Sequence, residues 1–238
     1  MSMLTPFDTS LALLIILGLP LRAYFSMRRL KRAEPQALAR VRPRLYAFAM
    51  LTQWSLALAV VALWIAERRS WTGLGLELRL GGGLLGVLAG LFTISLMLWR
   101  QRASIEREPE LRERVRARLA GVEKLLPTND RESTLFAALS VTAGVCEELL
   151  FRGFLFWLFT HFLPFWGAAA LQAVLFGIGH AYQGPKGIVA TTLAGIFLTG
   201  VLIVSGSLYA PMLVHALMDL NAGDMGRRAF AEPGSAPA

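Results

Sequence analysis

Long apolar runs alternate with short basic or small-residue breaks along most of this chain. Seven runs lie at about 10–25, 45–66, 81–99, 133–159, 165–182, 187–205 and 207–223, each near the length of about 20 residues that a bilayer crossing needs. The pattern predicts an all-α, polytopic integral membrane helix bundle of about seven transmembrane helices, or eight if one span is broken. The run at 133–159 is long for one crossing, so it is expected to tilt, kink or break near Gly144 or Gly153. The connection at 100–132 carries Glu106, Arg107, Glu108, Glu110, Arg112, Glu113 and Arg114 around Pro109, which reads as a solvated or interface-lying charged helix with a break at the proline.

Composition agrees with a membrane protein. Apolar residues make up 55% of the 238, and mean hydropathy is +0.53, too high for an ordinary soluble domain. The 24 Lys and Arg against 16 Asp and Glu give a net charge of +8. These cations sit in the connections, so a membrane surface explains them better than nucleic acid, and no nucleic-acid partner is expected. Arg28, Arg29, Lys31, Arg32, Arg40, Arg42 and Arg44 fill the first connection, the third is richer still, and Arg227 and Arg228 close the last run. The second connection holds only Arg68, Arg69 and Arg79, and those near 161–164 and Gly206 hold none. The alternation predicts an N-terminus outside and a cytoplasmic C-terminus.

The first run has no basic region before it and no small-residue cleavage site after it, so it is expected to stay as an anchor. The single cysteine, Cys146, excludes an intramolecular disulfide and reads as a core residue. Trp54, Trp64, Trp71, Trp99 and Trp166 fall at or near span ends as an aromatic belt, and His161 reads as interfacial. Three units are expected: 1–126 with three spans and the basic connection, 127–223 with the candidate chemistry, and a short disordered tail at 224–238.

The chemistry begins at Glu147-Glu148-Leu149-Leu150-Phe151-Arg152, within the fourth run. Each ionised side chain at bilayer depth costs about 2.5–3.5 kcal/mol on insertion scales. Glu148 and Arg152 are four apart on a helix and can pair, whereas Glu147 lies about 100° round and is left for a cavity. A carboxylate in an apolar pocket is suited to general acid–base work. His180 ends the run Phe176-Gly177-Ile178-Gly179-His180, whose glycines allow a neighbouring helix backbone to approach closely. His215 and Asp219 are again four apart on one face. The competing reading is a structural ion cluster that locks helices together.

Together these residues resemble the CPBP family, the CAAX prenyl endopeptidases and their bacterial relatives, also called the Abi family. Its pattern is EExxxR, then FxxxH, then HxxxN or HxxxD on separate membrane helices. Glu147-Glu148…Arg152, Phe176…His180 and His215…Asp219 match it in order, within about 127–223. The resemblance implies an intramembrane glutamic endopeptidase acting on a membrane-associated peptide or lipidated protein. Glu147 and His180 would activate a water, and His215 with Asp219 would stabilise the oxyanion. Glu148 and Arg152 would support the site, with Phe176 in the second motif. An ionised Asp219 would repel an oxyanion, so its expected part is to hold His215. No cofactor is expected. Zinc held by the same carboxylates and histidines is the alternative, which Arg152 opposes. A non-catalytic immunity or scaffold protein and a proton-coupled transporter are the rival functions. Oligomeric state is left open.

Overall fold

Prolines open four of the helices. Pro6, Pro35, Pro109 and Pro185 each stand in a first helical turn, where the missing N–H has no intrahelical partner to lose. The structure, a computed structural model, describes residues 4–77 and 107–231 with scattered positions between 83 and 105. The described residues form seven helices and no strand: α1 Pro6–Arg32, α2 Pro35–Ala66, α3 Pro109–Leu119, α4 Asp130–Phe159, α5 Phe165–Gly179, α6 Pro185–Ser205 and α7 Tyr209–Phe230. Helices α1, α2, α4 and α6 are long and apolar enough to cross a membrane, while α5 is apolar but only 15 residues long. The protein is an all-α membrane helix bundle.

Several boundaries differ from the hydropathy runs for identifiable reasons. Helix α2 begins at Pro35 because the helix runs through Pro43 and takes in a basic, polar first stretch. Ser104, Ile105 and Arg107 are helical, Glu108 is extended and Pro109 starts α3, so the expected break falls at the proline, whose ring geometry suits a first turn. Helix α7 runs to Phe230, so the boundary at 223 falls inside it. Arg112 and Arg116 of α3 donate to the Ala229 carbonyl at 2.8 and 2.7 Å and satisfy that helix end. Trp64 is no belt residue: it is buried edge-on against Trp157, with ring centroids 4.7 Å apart. The run at 81–99 and the tail at 232–238 lie largely outside the described residues.

Helix α4 departs from regular geometry near the expected place. Residues Leu149–Leu155 form a π-helical turn that includes Gly153 and follows directly on Glu148. Such turns shift the register of everything beyond them and recur at functional sites.

Two layers of polar contacts show how the helices run. At one face, Arg42 donates to the Lys124 carbonyl at 3.0 Å and pairs with Glu132, and Tyr46 bonds the Leu125 carbonyl. On the same face Lys124 bonds the Lys31 carbonyl at 2.8 Å, and Arg227 bonds Asp130 at 2.7 Å. At the opposite face Arg69 holds Asp8 through two hydrogen bonds of 2.6 and 2.7 Å and lies 4.7 Å over the Trp157 ring. The Leu208 amide there bonds the Gly75 carbonyl at 2.8 Å. Helices α1, α5 and α7 therefore run toward the first face, which is rich in Arg and Lys, and α2, α4 and α6 run away from it. Outward surfaces carry Leu17, Leu51, Leu58, Val189, Leu193 and Val204, all exposed, as lipid contact requires.

Helix α7 lies close against α4 because Gly144 has no side chain. A Cβ there would stand 2.7 Å from the Met212 carbonyl oxygen and 2.8 Å from the Ala216 Cβ. Gly144→Ala is expected to lower the thermal unfolding midpoint of detergent-solubilised protein, since overpacking costs about 1–3 kcal/mol. Gly200→Ala, where an added Cβ meets nothing within 4 Å, should leave it unchanged or raise it, as Gly is the poorer helix former. Equal midpoints for the two variants would refute the close-packing account.

Candidate active site

Residue counts place the candidate side chains at one depth. Glu147 is four residues before Phe151 on α4, and His180 four after Phe176 on the antiparallel α5. The Phe151 and Phe176 rings meet edge-on at 5.1 Å, so the two polar groups lie level. Helix α7 starts beside Gly153, where Leu208 Cδ2 is 3.5 Å from the place of a Cβ. Six residues on from Tyr209 is His215, and six back from Gly153 is Glu147. Helix α5 is half the length of α4, and so His180 at its end reaches a carboxylate that lies deep in the longer helix.

The structure brings Glu147, Glu148, Arg152, Phe176, His180, His215 and Asp219 together. Glu148 and Arg152 are fully buried, with Arg152 Nη1 donating to Glu148 Oε1 at 2.8 Å. The same oxygen accepts from His215 Nδ1 at 2.7 Å. A carboxylate accepts only, so His215 carries its proton on Nδ1 and turns Nε2 to the cavity. The Arg152 guanidinium lies 4.1 Å over the Phe176 ring, which also touches His180 at 4.8 Å and His215 at 5.8 Å. Phe176 is thus the apolar wall on which cation and both imidazoles rest.

Glu147 differs from its neighbour. Its side chain is 14% exposed, and its Oε2 has no hydrogen-bond partner. That oxygen lies 3.9 Å from His180 Nε2 and 4.0 Å from His215 Nε2. His180 Nδ1 is 2.8 Å from the Phe176 carbonyl, which can only accept, so Nε2 of a neutral His180 presents a lone pair. These gaps are too long for direct hydrogen bonds, and a water bridging the groups would sit beside the line that joins them. A carboxylate and an imidazole nitrogen, both acceptors, therefore face one small space, with a second imidazole beside it.

Asp219 is set further out. Its side chain is 42% exposed and its Oδ2 is 3.8 Å from His215 Nε2, outside hydrogen-bond range. The carboxylate that holds His215 is Glu148, on another helix, rather than Asp219 one turn along its own. Tyr182 stands in the turn Ala181–Gln183 after His180, within electrostatic reach of Glu147 and Asp219. Burial pushes its phenol up to about 12, so it faces the site as a neutral hydroxyl.

Two residues escaped the sequence reading. Gln53 of α2 donates from Nε2 to Glu147 Oε1 at 2.8 Å. Arg22 of α1 lies within electrostatic reach of Glu147 and Tyr182, over the Phe48 ring at 5.6 Å. A polar side chain inside an apolar run was the available signal for both. As donor sets for a cation, the described residues include no group of three or more His, Cys, Asp or Glu disposed to hold one, and Glu148 is already engaged by Arg152 and His215. Arg152→Ala is expected to destabilise the solubilised protein by about 3–5 kcal/mol, because it leaves Glu148 as an uncompensated buried charge. A thermal unfolding midpoint equal to the unmodified protein's would refute that pairing role.

Residues 130–221, from the start of α4 through Asp219 on α7, match a family model described as type II CAAX prenyl endopeptidase Rce1-like. Comparison with curated proteins and with solved structures gives no match. The match contains every residue of the three motifs and excludes Gln53 and Arg22. Residues 130–221 of this chain therefore form an Rce1-like domain of the CPBP, or CAAX protease, family: an intramembrane protease domain of the CAAX type.

Proposed function

We propose that the protein hydrolyses a peptide bond of a membrane-associated peptide or lipidated protein, using a water activated by Glu147 and His180. The observation that carries this reading is Glu147 Oε2, unpartnered and flanked by His180 Nε2 at 3.9 Å and His215 Nε2 at 4.0 Å. A water placed there gives one hydrogen bond to Glu147 and one to His180. With both O–H groups so engaged, an oxygen lone pair is directed at a substrate carbonyl carbon. Glu147 takes the proton as the C–O bond forms. The carbonyl oxygen becomes an oxyanion, which accepts from the Nε2–H of a doubly protonated His215. Glu148 holds Nδ1 and Asp219 stands near Nε2, so Asp219 supports the donor without meeting the oxyanion itself. Glu147 then passes its proton to the departing amine, the C–N bond breaks, and the carboxylate is restored.

No metal enters these steps. The charge pattern supports a metal-free site, because Arg152 neutralises Glu148 and leaves fewer anionic donors for a cation. The positive-inside pattern supports a cytoplasmic basic face, with the N-terminus outside, in a bacterial plasma membrane. The site then opens toward the cytoplasm through the short 3-10 turn Ala181–Gln183 that follows directly on His180.

Glu147→Gln should abolish cleavage and leave the unfolding midpoint close to that of the unmodified protein. Comparing membrane peptides from cells with each form should reveal a substrate that accumulates uncut in the variant. Identical peptide sets would overturn the reading. Cleavage should also survive dialysis against a strong zinc chelator; loss reversed by added zinc would install a metal mechanism on the same residues. In a Cys146→Ser background, an impermeant thiol reagent added outside whole cells should label Gly206→Cys and spare Gln183→Cys. The opposite labelling would reverse the topology.

A further inference from the structure

Gln53 is a buried polar group that the proposed reaction leaves unused. It lies on α2, outside the matched domain, and its residue is 6% exposed. Nε2 donates to Glu147 Oε1 at 2.8 Å, and its own amide oxygen is buried without a partner. The assignment of the amide follows from chemistry, since an amide oxygen turned to a carboxylate would repel it.

The ordinary account of a buried glutamine between membrane helices is a hydrogen bond that fastens them. Three observations separate Gln53 from that account. The α2–α4 side already has the Arg42–Glu132 pair and the bond from Trp54 Nε1 to Thr142 Oγ1 at 3.2 Å, and Tyr46 bonds the Leu125 carbonyl just before α4. A fastening residue is free to satisfy both ends of its amide, but Gln53 uses only the donor end. Its partner is Glu147, the carboxylate whose unpartnered oxygen lies between His180 Nε2 and His215 Nε2.

We infer that Gln53 is a positioning residue for the base: it pins Glu147 Oε1 and leaves Oε2 as the oxygen presented between His180 and His215. Without that donor the carboxylate turns about its last torsion, which is broad and two-fold, and either oxygen can leave the cavity. Arg152 bonds Glu148 through Nη1 and makes no hydrogen bond to Glu147, and both histidines face Oε2, so among the described residues Gln53 alone hydrogen-bonds Oε1. The catalytic unit therefore extends beyond residues 130–221 to the second helix of the chain. This inference rests on the proposed role of Glu147 as base.

The test uses the full-length protein in lipid vesicles, with the peptide that accumulates uncut in Glu147→Gln membranes as substrate. Gln53→Met keeps the side-chain length and removes the donor. Its kcat should fall about 10- to 100-fold, the range expected when a hydrogen bond to a charged group is lost, with KM little changed. Gln53→Asn, which retains an amide but is one methylene short, should lose kcat in the same way. The infrared carboxylate band that vanishes in Glu147→Gln should move in Gln53→Met, because one oxygen has lost its donor. A fastening role alone would move the same band and lower the unfolding midpoint, but it would leave kcat at the native value. A Gln53→Met protein with an unmoved band, or with the native kcat, overturns the inference while Glu147→Gln remains inactive. A Glu147→Gln protein that still cleaves overturns the reading beneath it.

Discussion

The chain of hydrogen bonds from Arg152 through Glu148 to His215 is the constraint around which the rest of the bundle is arranged. Its central atom, Glu148 Oε1, accepts from Arg152 at 2.8 Å and from His215 at 2.7 Å, with all three side chains removed from solvent. Hydrocarbon provides no replacement partner for any of them, so each must meet the others or leave the membrane. The requirement brings α7 against α4 and makes Gly144 necessary at their contact. It also explains why Phe176 stands where it does: a flat apolar ring can cover a guanidinium and two imidazoles without adding another unsatisfied group. The close approach of α6 to α5 follows the same logic, since Gly177 has Thr192 and the Ile188 carbonyl where a side chain would be.

Depth is handled by unequal helix lengths. Glu147 lies well inside α4, where water has no route through lipid, yet hydrolysis needs water. The short α5 resolves the conflict by ending at His180, so that turn backbone and Tyr182 replace helix and lipid on that side. The π turn at Leu149–Leu155 contributes from the other side by re-aiming the part of α4 beyond the carboxylates. Rigid burial of one carboxylate and solvent access for its neighbour are thus obtained within a single helical turn.

What was legible in the sequence were relations within one helix. Spacing of four gave the Glu148–Arg152 pair, 100° of rotation separated Glu147 from it, and apolar runs located most of the spans. Relations across helices were less accessible. His215 has a carboxylate four residues along its own helix, and spacing alone favoured Asp219 as its holder. Helix rotation instead directs Nδ1 to Glu148, 67 positions away. Gln53 was invisible for the same reason, as was the Asp8–Arg69 pair: nothing in an apolar run tells which neighbour a lone polar residue faces. The resemblance to CAAX proteases located the proposed reacting residues within 127–223, but α2 carries no motif, and the bond from Gln53 to Glu147 appears only in three dimensions.

The two adjacent glutamates show how environment divides labour between identical side chains. Both stand at one depth, on one helix, in reach of the same histidine. Glu148 is engaged at one oxygen by a cation and an imidazole N–H, so that oxygen is held in place by two donors. Glu147 has a single neutral amide donor on one oxygen, and its other oxygen faces the nitrogens of two histidines. A base must be able to take a proton and return it, so it cannot be held as tightly as its neighbour. It must also keep one orientation, so it cannot be left unheld. One neutral hydrogen bond satisfies both conditions where a salt bridge would satisfy only the second.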